Sequence, residues 1–428
     1  MSASFHRPHR IRPGCRPFAV GVLTLAAVLP ASGQQADTLR IGVLYVTEGA
    51  LASLGQDAAR GIDMAVAEFN GSVAGKKLVI VREGTNATPD LAVQKARKLV
   101  EQDQVDLVVG PLSGGEGLAI KEYARTVPRK TFINGTGAAQ DTTLRNPAPN
   151  FFSFRVDGVQ LVAGLGSYAY EVKNYRNVAV VAEDYSFPYA QVAGFITEFC
   201  ARGGRIAQRL WVPLGTKDYA SVIARIPPQA DAVFTVLGGA DAVNFLNQYV
   251  QSGGQAPLIG GSITVDSAVL SSKGPFQRHV VGIPSASSTA DDHDAPEWLA
   301  FVKAYRARFP DGLPVPSSMA HGYYVSMKAA LLGLQQAGGD VSGDQGRFKA
   351  ALAQLRFKTP TGDIRLDQNR QAIADIFVTE VARRPDGSLY NKVVKVVSQV
   401  NASLGTPREA FVAQGPVSRT NPPCGPGA

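Results

Sequence analysis

Short apolar runs rich in β-branched residues alternate with longer amphipathic stretches from Thr38 onward. In one such stretch, Ile62, Ala65 and Phe69 recur at the three- and four-residue spacing of a single helical face. The first part of the chain predicts, in order, strand 39–45, helix 58–69, strand 77–83, helix 89–102, strand 107–109, helix 118–126 and strand 131–134. This alternation is typical of an α/β fold that is built on a doubly wound parallel sheet.

A second half of the same kind begins at Gly158. It predicts helix 159–171, strand 177–182, helix 190–201 and strands 205–211, 232–235 and 257–260, followed by helices 296–309, 317–337 and 346–355. The later segments 364–366, 372–381 and 390–397 alternate apolar and polar residues, which predicts antiparallel strands with a turn at 385–387. We expect the Pro-, Gly- and Ser-rich tail beyond Asn401 to be loosely ordered.

The first residues have the layout of a secretory signal. Four arginines (Arg7, Arg10, Arg12 and Arg16) precede an uncharged apolar run at 17–30 and three small residues at 31–33. The run is shorter than the ~20 residues that a membrane-spanning helix needs. We therefore interpret residues 1–33 as a signal peptide that is cleaved on export to the periplasm, with an uncleaved N-terminal anchor as the alternative.

Composition narrows the class of protein further. Removal of residues 1–33 lowers the formal charge from +8 to +4, and the basic residues do not cluster with aromatic ones, so nucleic-acid binding has no support. About 395 residues remain, which favours two lobes over a single core. Two cysteines remain as well, Cys200 and Cys424, and they can pair in an oxidising compartment.

An enzyme is not expected. The chain has no glycine pattern for dinucleotide or phosphate binding, and Ser113 lacks the G-x-S-x-G frame of a hydrolase. The histidines that remain after processing, His279, His293 and His321, do not have the spacing of metal ligands. We expect no cofactor and no metal. A protein that senses a ligand without transporting it stays an alternative.

The order of these parts resembles the type I periplasmic binding proteins, in particular the branched-chain amino-acid-binding group of ABC-transporter receptors. The landmarks cover nearly the whole mature chain; they are the segments 41–44, 55–67, 92–99, 105–111, 152–155, 180–185 and 215–219. The resemblance implies two lobes joined by three crossovers: lobe I at 38–156 and 285–360, lobe II at 157–284 and 361–415, and a tail at 416–428. It also implies a monomer that delivers a small ligand to a membrane permease.

The ligand would lie between the carboxyl ends of the strands of the two facing sheets. Ser113, Gly114 and Gly115 follow a strand and open a helix, so their N–H groups and the Ser113 hydroxyl can point at an anion. The resemblance assigns this loop to the ligand's carboxylate. A tight turn that merely needs glycine is the alternative interpretation.

Two positions depart from the pattern of amino-acid binders. Ala138, beside Gly137, stands where the resembling proteins place a threonine, and Ser262 stands where leucine-type binders carry an acidic residue that faces the ammonium group. Because burial of an ammonium without a counter-charge is costly, we expect an aromatic or aliphatic acid without an amine. Asp241 or Asp266 could restore the charge, so an amino-acid ligand stays open.

Five more residues complete the predicted site. Tyr185 matches an aromatic residue that covers the ligand from lobe II, and Phe187 lies two positions further on. Tyr45 and Glu48 lie in the loop after the first strand, and Gly239 ends a strand of lobe II. Ordinary packing or a simple turn is the alternative for each of them.

Overall fold

The computed structural model describes residues 38–424, so the predicted signal peptide at 1–33 lies outside the described residues. The first half of the chain forms a six-stranded sheet of order β2-β3-β1-β4-β5-β6, parallel apart from the short β2. Its strands are β1 (Thr38–Val46), β2 (Ser72–Val73), β3 (Lys76–Thr85), β4 (Leu107–Val109), β5 (Thr131–Ile133) and β6 (Phe151–Phe152). The crossovers contain α1 (Ala52–Glu68), α2 (Pro89–Arg97), which a π-helical turn extends to Gln102, and α3 (Gly114–Thr126).

The next part of the chain forms a separate four-stranded parallel sheet of order β10-β9-β7-β8. Its strands are β7 (Asn177–Glu183), β8 (Arg205–Val212), β9 (Ala232–Val236) and β10 (Leu258–Gly260). The helices around it are α4 (Leu165–Glu171), α5 (Ser186–Ala201), α6 (Ala220–Ile223), α7 (Gly239–Gln251) and α8 (Ser267–Leu270). The two sheets with their helices are the two lobes, and the domain boundaries given above stay a prediction.

The last part of the chain packs against both lobes. It contains β11 (Pro284–Ser287), α9 (Pro296–Arg308), α10 (Ser318–Gln336), α11 (Gly346–Gln354), β12 (Arg356–Thr359), β13 (Gly362–Leu366), β14 (Ala372–Arg383), β15 (Leu389–Val400) and α12 (Arg408–Ala413). Helix α10 packs against α1 of lobe I, and Asp57 of α1 accepts a hydrogen bond from the Ser317 N–H (2.9 Å) at the start of α10. Strands β11 to β15 form an antiparallel sheet.

The main differences from the predicted elements lie at helix starts. Helix α1 begins six residues before the predicted position, and α3 and α5 each begin four residues early, because residues of the predicted loops form the first helical turns. The predicted helix 159–171 is divided, since Gly164 has a left-handed backbone (φ 83°) between a 3-10 turn and α4. Helices α6, α7, α8 and α12 and the short strands β2, β6, β11 and β12 were not predicted.

The C-terminal tail is ordered up to Cys424, contrary to the prediction. Arg419 forms an ion pair with Asp184, and Arg209 donates a hydrogen bond to the Pro422 carbonyl (2.6 Å). The Cys424 Sγ atom forms a disulfide with Cys200 at the end of α5. The composition of the tail did not reveal these contacts, because they are made with residues more than 200 positions away.

We predict that replacement of both Cys200 and Cys424 by serine lowers the free energy of unfolding by about 2 to 4 kcal/mol, since the bond closes a very long loop and restricts the unfolded chain. Urea denaturation of the oxidised wild type and the double variant measures the difference. Intact-mass analysis after alkylation, with and without reduction, is the control. Two free thiols in the native wild-type protein would contradict the prediction.

Candidate functional site

A small cavity lies between the two lobes. Most of its walls come from segments that follow the carboxyl ends of strands in both sheets, where doubly wound sheets place ligand sites. The lining residues are Leu51, Leu54, Leu112, Ser113, Gly114, Thr136, Ala138 and Met319 from lobe I, Arg155 from the first crossover, and Leu161, Tyr185, Phe187, Ser262 and Ile263 from lobe II. Most of this lining is apolar.

Six of the eleven predicted site residues meet at this cavity. They are Ser113, Gly114, Ala138, Tyr185, Phe187 and Ser262. Gly114 lies directly at the contact between lobes, because a Cβ atom built on it would be 3.0 Å from the Phe187 Cβ and 3.1 Å from the Ser186 Oγ. The six positions follow strands β4, β5, β7 and β10, whose ends converge on the cleft.

The other five predicted residues do not line the cavity. Glu48 is exposed and Tyr45 is half-buried. Gly137 packs against its own lobe, since a Cβ atom there would be 2.9 Å from the Ser113 carbonyl oxygen. An added Cβ on Gly115 would meet only Pro89 (3.7 Å). Gly239 contacts the backbone of Ala50 in the opposite lobe.

The Ser113 loop uses its polar groups within the protein. Ser113 is the N-cap of α3: its Oγ accepts a hydrogen bond from the Glu116 N–H (3.3 Å), and its own N–H donates to the Glu116 carboxylate (2.9 Å). The Ser113 hydroxyl donates to the Ala87 carbonyl (3.2 Å). The Ser113 N–H and hydroxyl were predicted to donate to a bound anion, but both donate to groups of the protein itself.

Arg155 is the charged residue among the lining residues that were not predicted from the sequence. Its side chain is buried, and its Nη1 donates to the Ser288 hydroxyl and to the Ser318 carbonyl (3.5 Å). The Nε and Nη2 atoms are buried without a hydrogen-bond partner among residues 38–424. Burial lowers the pKa of Arg155 to about 10, with Asp266 acting in the opposite direction, so the guanidinium stays charged at neutral pH. Arg155 lies three residues after β6, at the carboxyl edge of the sheet, and this position is the sequence feature from which its role could have been predicted.

Ser262 is held in place by α5. The Gln191 side chain donates to the Ser262 hydroxyl (2.6 Å) and accepts a hydrogen bond from the Ser262 N–H (3.0 Å). Because the hydroxyl oxygen accepts from Gln191, its hydrogen is available for a bound acceptor. Ser262 therefore offers a fixed neutral donor at the cavity.

Burial raises the pKa of two carboxyl groups near the cleft. Glu183, the last residue of β7, accepts a hydrogen bond from the Gly238 N–H (2.9 Å), while its Oε2 is buried without a partner within the described chain. Desolvation raises the pKa of Glu183 to about 8, and the nearby Asp241 charge adds to the rise. Burial likewise raises the pKa of Glu116. At neutral pH, protonated Glu183 does not repel an anion in the cavity.

The described residues contain no group of three or more His, Cys, Asp or Glu side chains that is arranged to hold a metal ion. Within the same part of the chain, no helix combines the length and apolar character that crossing a bilayer requires.

Known proteins share this architecture. A family model described as periplasmic binding protein matches residues 38–387. A relative named Leu/Ile/Val-binding protein homolog 6, from Brucella melitensis, is 26% identical over 387 residues and covers 87% of this chain and 95% of its own length.

Two solved structures are similar over most of their lengths. One is an ABC transporter substrate-binding protein from Sphaerobacter thermophilus, with a TM-score of 0.76, 27% identity, and coverage of 85% of this chain and 98% of the other. The second is a solute-binding protein of an ABC transporter from Rhodopseudomonas palustris BisB5 in complex with 3,4-dihydroxybenzoic acid. It has a TM-score of 0.78, 25% identity, and coverage of 86% and 99%.

We predict that the Glu183→Gln variant weakens the pH dependence of stability. The folded state holds a proton on Glu183 up to about pH 8, whereas the unfolded carboxyl releases it near its ordinary pKa of about 4.3. This group therefore makes the free energy of unfolding fall as the pH rises between those values, by at most about 1.4 kcal/mol per pH unit. Glutamine keeps the Gly238 hydrogen bond without a titratable proton.

Urea denaturation of wild type and variant at about pH 5 and pH 8 measures the effect. Glu409→Gln, which neutralises an exposed carboxylate on α12, is the matched control and should follow the wild type. An equal loss of stability in wild type and Glu183→Gln between the two pH values would show that Glu183 is already ionised in the folded protein.

Proposed function

This chain belongs to the periplasmic binding protein family, and we propose that its ligand is a small carboxylate without an amino group. Members of this family are substrate-binding receptors of ABC transporters and not enzymes. The groups that line the inter-lobe cavity indicate the ligand class of this chain.

The unpaired guanidinium of Arg155 carries the proposal. It is the one charged side chain among the described residues that line the cavity, and two of its nitrogen atoms have no partner there. An unpaired buried charge costs several kcal/mol. A ligand carboxylate placed between Arg155 and the Ser262 hydroxyl offsets this cost, because it accepts charge-assisted hydrogen bonds in a site that is shielded from water.

The acidic residues that could have held an ammonium group have other partners. Asp241 accepts a hydrogen bond from the Gly215 N–H (2.6 Å), and neither it nor Asp266 lines the cavity. Asp266 accepts hydrogen bonds from the Ala268 N–H (3.0 Å) and the Ser318 N–H (3.1 Å). Ala138 and Ser262, the two departures from the amino-acid pattern, do line it. These contacts favour an acid over an amino acid.

The remaining lining suits an apolar body. Leu51, Leu54, Leu161, Ile263 and Met319 surround the cavity together with the rings of Tyr185 and Phe187. Burial of an aromatic or aliphatic group against such walls is favourable in proportion to the area removed from water. The 3,4-dihydroxybenzoic acid bound by the Rhodopseudomonas palustris relative is an acid of this general class.

In the proposed cycle, the signal peptide at residues 1–33 directs export of the chain. The mature protein then acts in the periplasm as a monomer. Closure of the lobes about the crossovers buries the ligand, and the closed form presents a surface to the membrane permease. The predicted partner is therefore the permease of an ABC importer.

We predict that carboxylic acids stabilise the ligand-stripped mature protein more than amino acids do. A thermal-shift screen with benzoate, 3,4-dihydroxybenzoate, short aliphatic acids, leucine and valine measures this, since a ligand that prefers the native state raises the melting temperature. We expect shifts with acids of either type and none with leucine or valine. A large shift with leucine or valine and none with any acid would refute the proposed ligand class.

We predict that Arg155→Met weakens the binding of any acid identified in the screen by at least about 30-fold, because the loss of one partner of a buried charge pair costs roughly 2 to 5 kcal/mol. Isothermal titration calorimetry measures the affinity. The matched control is Arg370→Met, which removes a half-buried guanidinium that donates to the Phe151 and Ala148 carbonyls outside the cavity. Unchanged affinity in a folded Arg155→Met protein would remove the guanidinium from the site.

A further inference from the structure

We propose that Gly239 and Ala240, at the start of α7 in lobe II, form a latch with the Ala50 carbonyl of lobe I that holds the two lobes closed. None of these three residues lines the ligand cavity. The latch is therefore a positioning contact that acts through lobe closure and is independent of the identity of the ligand.

The latch is a backbone hydrogen bond between lobes. The Ala240 N–H donates to the Ala50 carbonyl (3.0 Å). Ala50 lies between β1 of the six-stranded sheet and α1, whereas Ala240 follows β9 of the four-stranded sheet. The first N–H groups of a helix have no partner within the helix, so α7 has a donor to offer to the opposite lobe. Separation of the lobes at this point breaks the bond.

The close approach of Ala240 to the Ala50 carbonyl requires glycine at position 239. Its backbone is left-handed (φ 53°), and a Cβ atom built on it would be 2.3 Å from the Ala50 carbonyl oxygen and 3.6 Å from the Leu51 Cα. Both neighbours are backbone atoms, which cannot rotate away as a side chain does. A residue larger than glycine at this position therefore keeps the lobes apart.

The latch lies directly behind the cavity wall. Leu51, the neighbour of Ala50, lines the cavity, and so does Ile263, whose side chain packs over Gly238. A Cβ atom on Gly238 would be 2.4 Å from the Ile263 Cδ1 and 3.3 Å from the Leu51 Cδ2. Closure at the latch thus brings two cavity walls from opposite lobes together.

A second bond between lobes supports the closed arrangement. Asp266, the N-cap of α8 in lobe II, accepts a hydrogen bond from the Ser318 N–H (3.1 Å) at the start of α10, which packs on lobe I. The positive end of a long helix favours a carboxylate at this position. Neither bond requires an atom of the ligand, so both contribute to the closed state itself.

The test compares Gly239→Ala with Gly253→Ala. Gly253 lies just beyond the other end of α7 and is also left-handed (φ 70°), but a Cβ atom there meets nothing within 4 Å. The two variants therefore share the cost of a left-handed alanine and differ in the clash with Ala50. We expect Gly239→Ala to weaken binding of benzoate or 3,4-dihydroxybenzoate by about tenfold or more, and Gly253→Ala to match the wild type. Equal affinities in the two variants would overturn the latch.

Lobe closure is measured directly with spin labels on cysteines introduced at the exposed positions Lys77 and Arg225, one in each lobe. We expect the distance distribution of ligand-free wild type and of Gly253→Ala to contain the short distance of the closed structure, and that of Gly239→Ala to lack it. If no acid binds the wild type, the proposed ligand class fails while this measurement still decides the latch. The latch is overturned if Gly239→Ala retains the short distance or if the wild type lacks it.

Discussion

The buried charge of Arg155 is the constraint on which the rest of the cleft depends. Burial of a guanidinium without a full set of hydrogen-bond partners costs free energy in a low-dielectric interior. The surrounding segments offset part of this cost with hydrogen bonds to Arg155. Its Nη1 donates to Ser288, just after β11, and its backbone carbonyl accepts a hydrogen bond from the Gln371 side chain (2.6 Å) at the start of β14. One residue thus joins three distant parts of the chain at the junction of the lobes, and its Nε and Nη2 atoms have no hydrogen-bond partner among residues 38–424.

Among the other ionisable groups of the cleft, Asp266 acts on the Arg155 charge, and Glu183 is protonated at neutral pH. Protonation of Glu183 removes a negative charge near Tyr185, because burial favours the neutral carboxyl group. On the hinge side of Arg155, the buried His321 contacts the Thr361 hydroxyl (3.2 Å), and burial lowers its pKa to about 3, so that the imidazole is neutral. The cavity therefore combines one fixed positive charge with neutral donors and apolar walls. This combination is the basis of the proposed carboxylate ligand.

Much of the fold could be predicted from periodicity. The alternation of buried strands and amphipathic helices depends on which residues avoid water, and this information is local. Helix starts were less predictable: at Ser113 and Gly114, polar and glycine residues typical of loops form the cap and first turn of α3. Six of the predicted site residues reached the cavity because strand ends in parallel sheets converge on one edge. Glu48 and Gly239 also follow strands, but whether a loop residue turns toward the ligand or toward the opposite lobe depends on how the lobes close.

The sequence by itself determined the succession of strands and helices, the resemblance to a family of binding proteins, and the presence of Ala138 and Ser262 at two positions where that resemblance implies amino-acid-specific groups. These features reside in local patterns and in the identity of single side chains. Only the tertiary structure decided that Arg155 lines the cavity, that Asp241 and Asp266 are bound elsewhere, and that Ala50 meets Ala240 across the cleft. The physical reason is that the partners of a buried polar group are chosen by packing between segments far apart in the chain, and no local pattern records which of them meet.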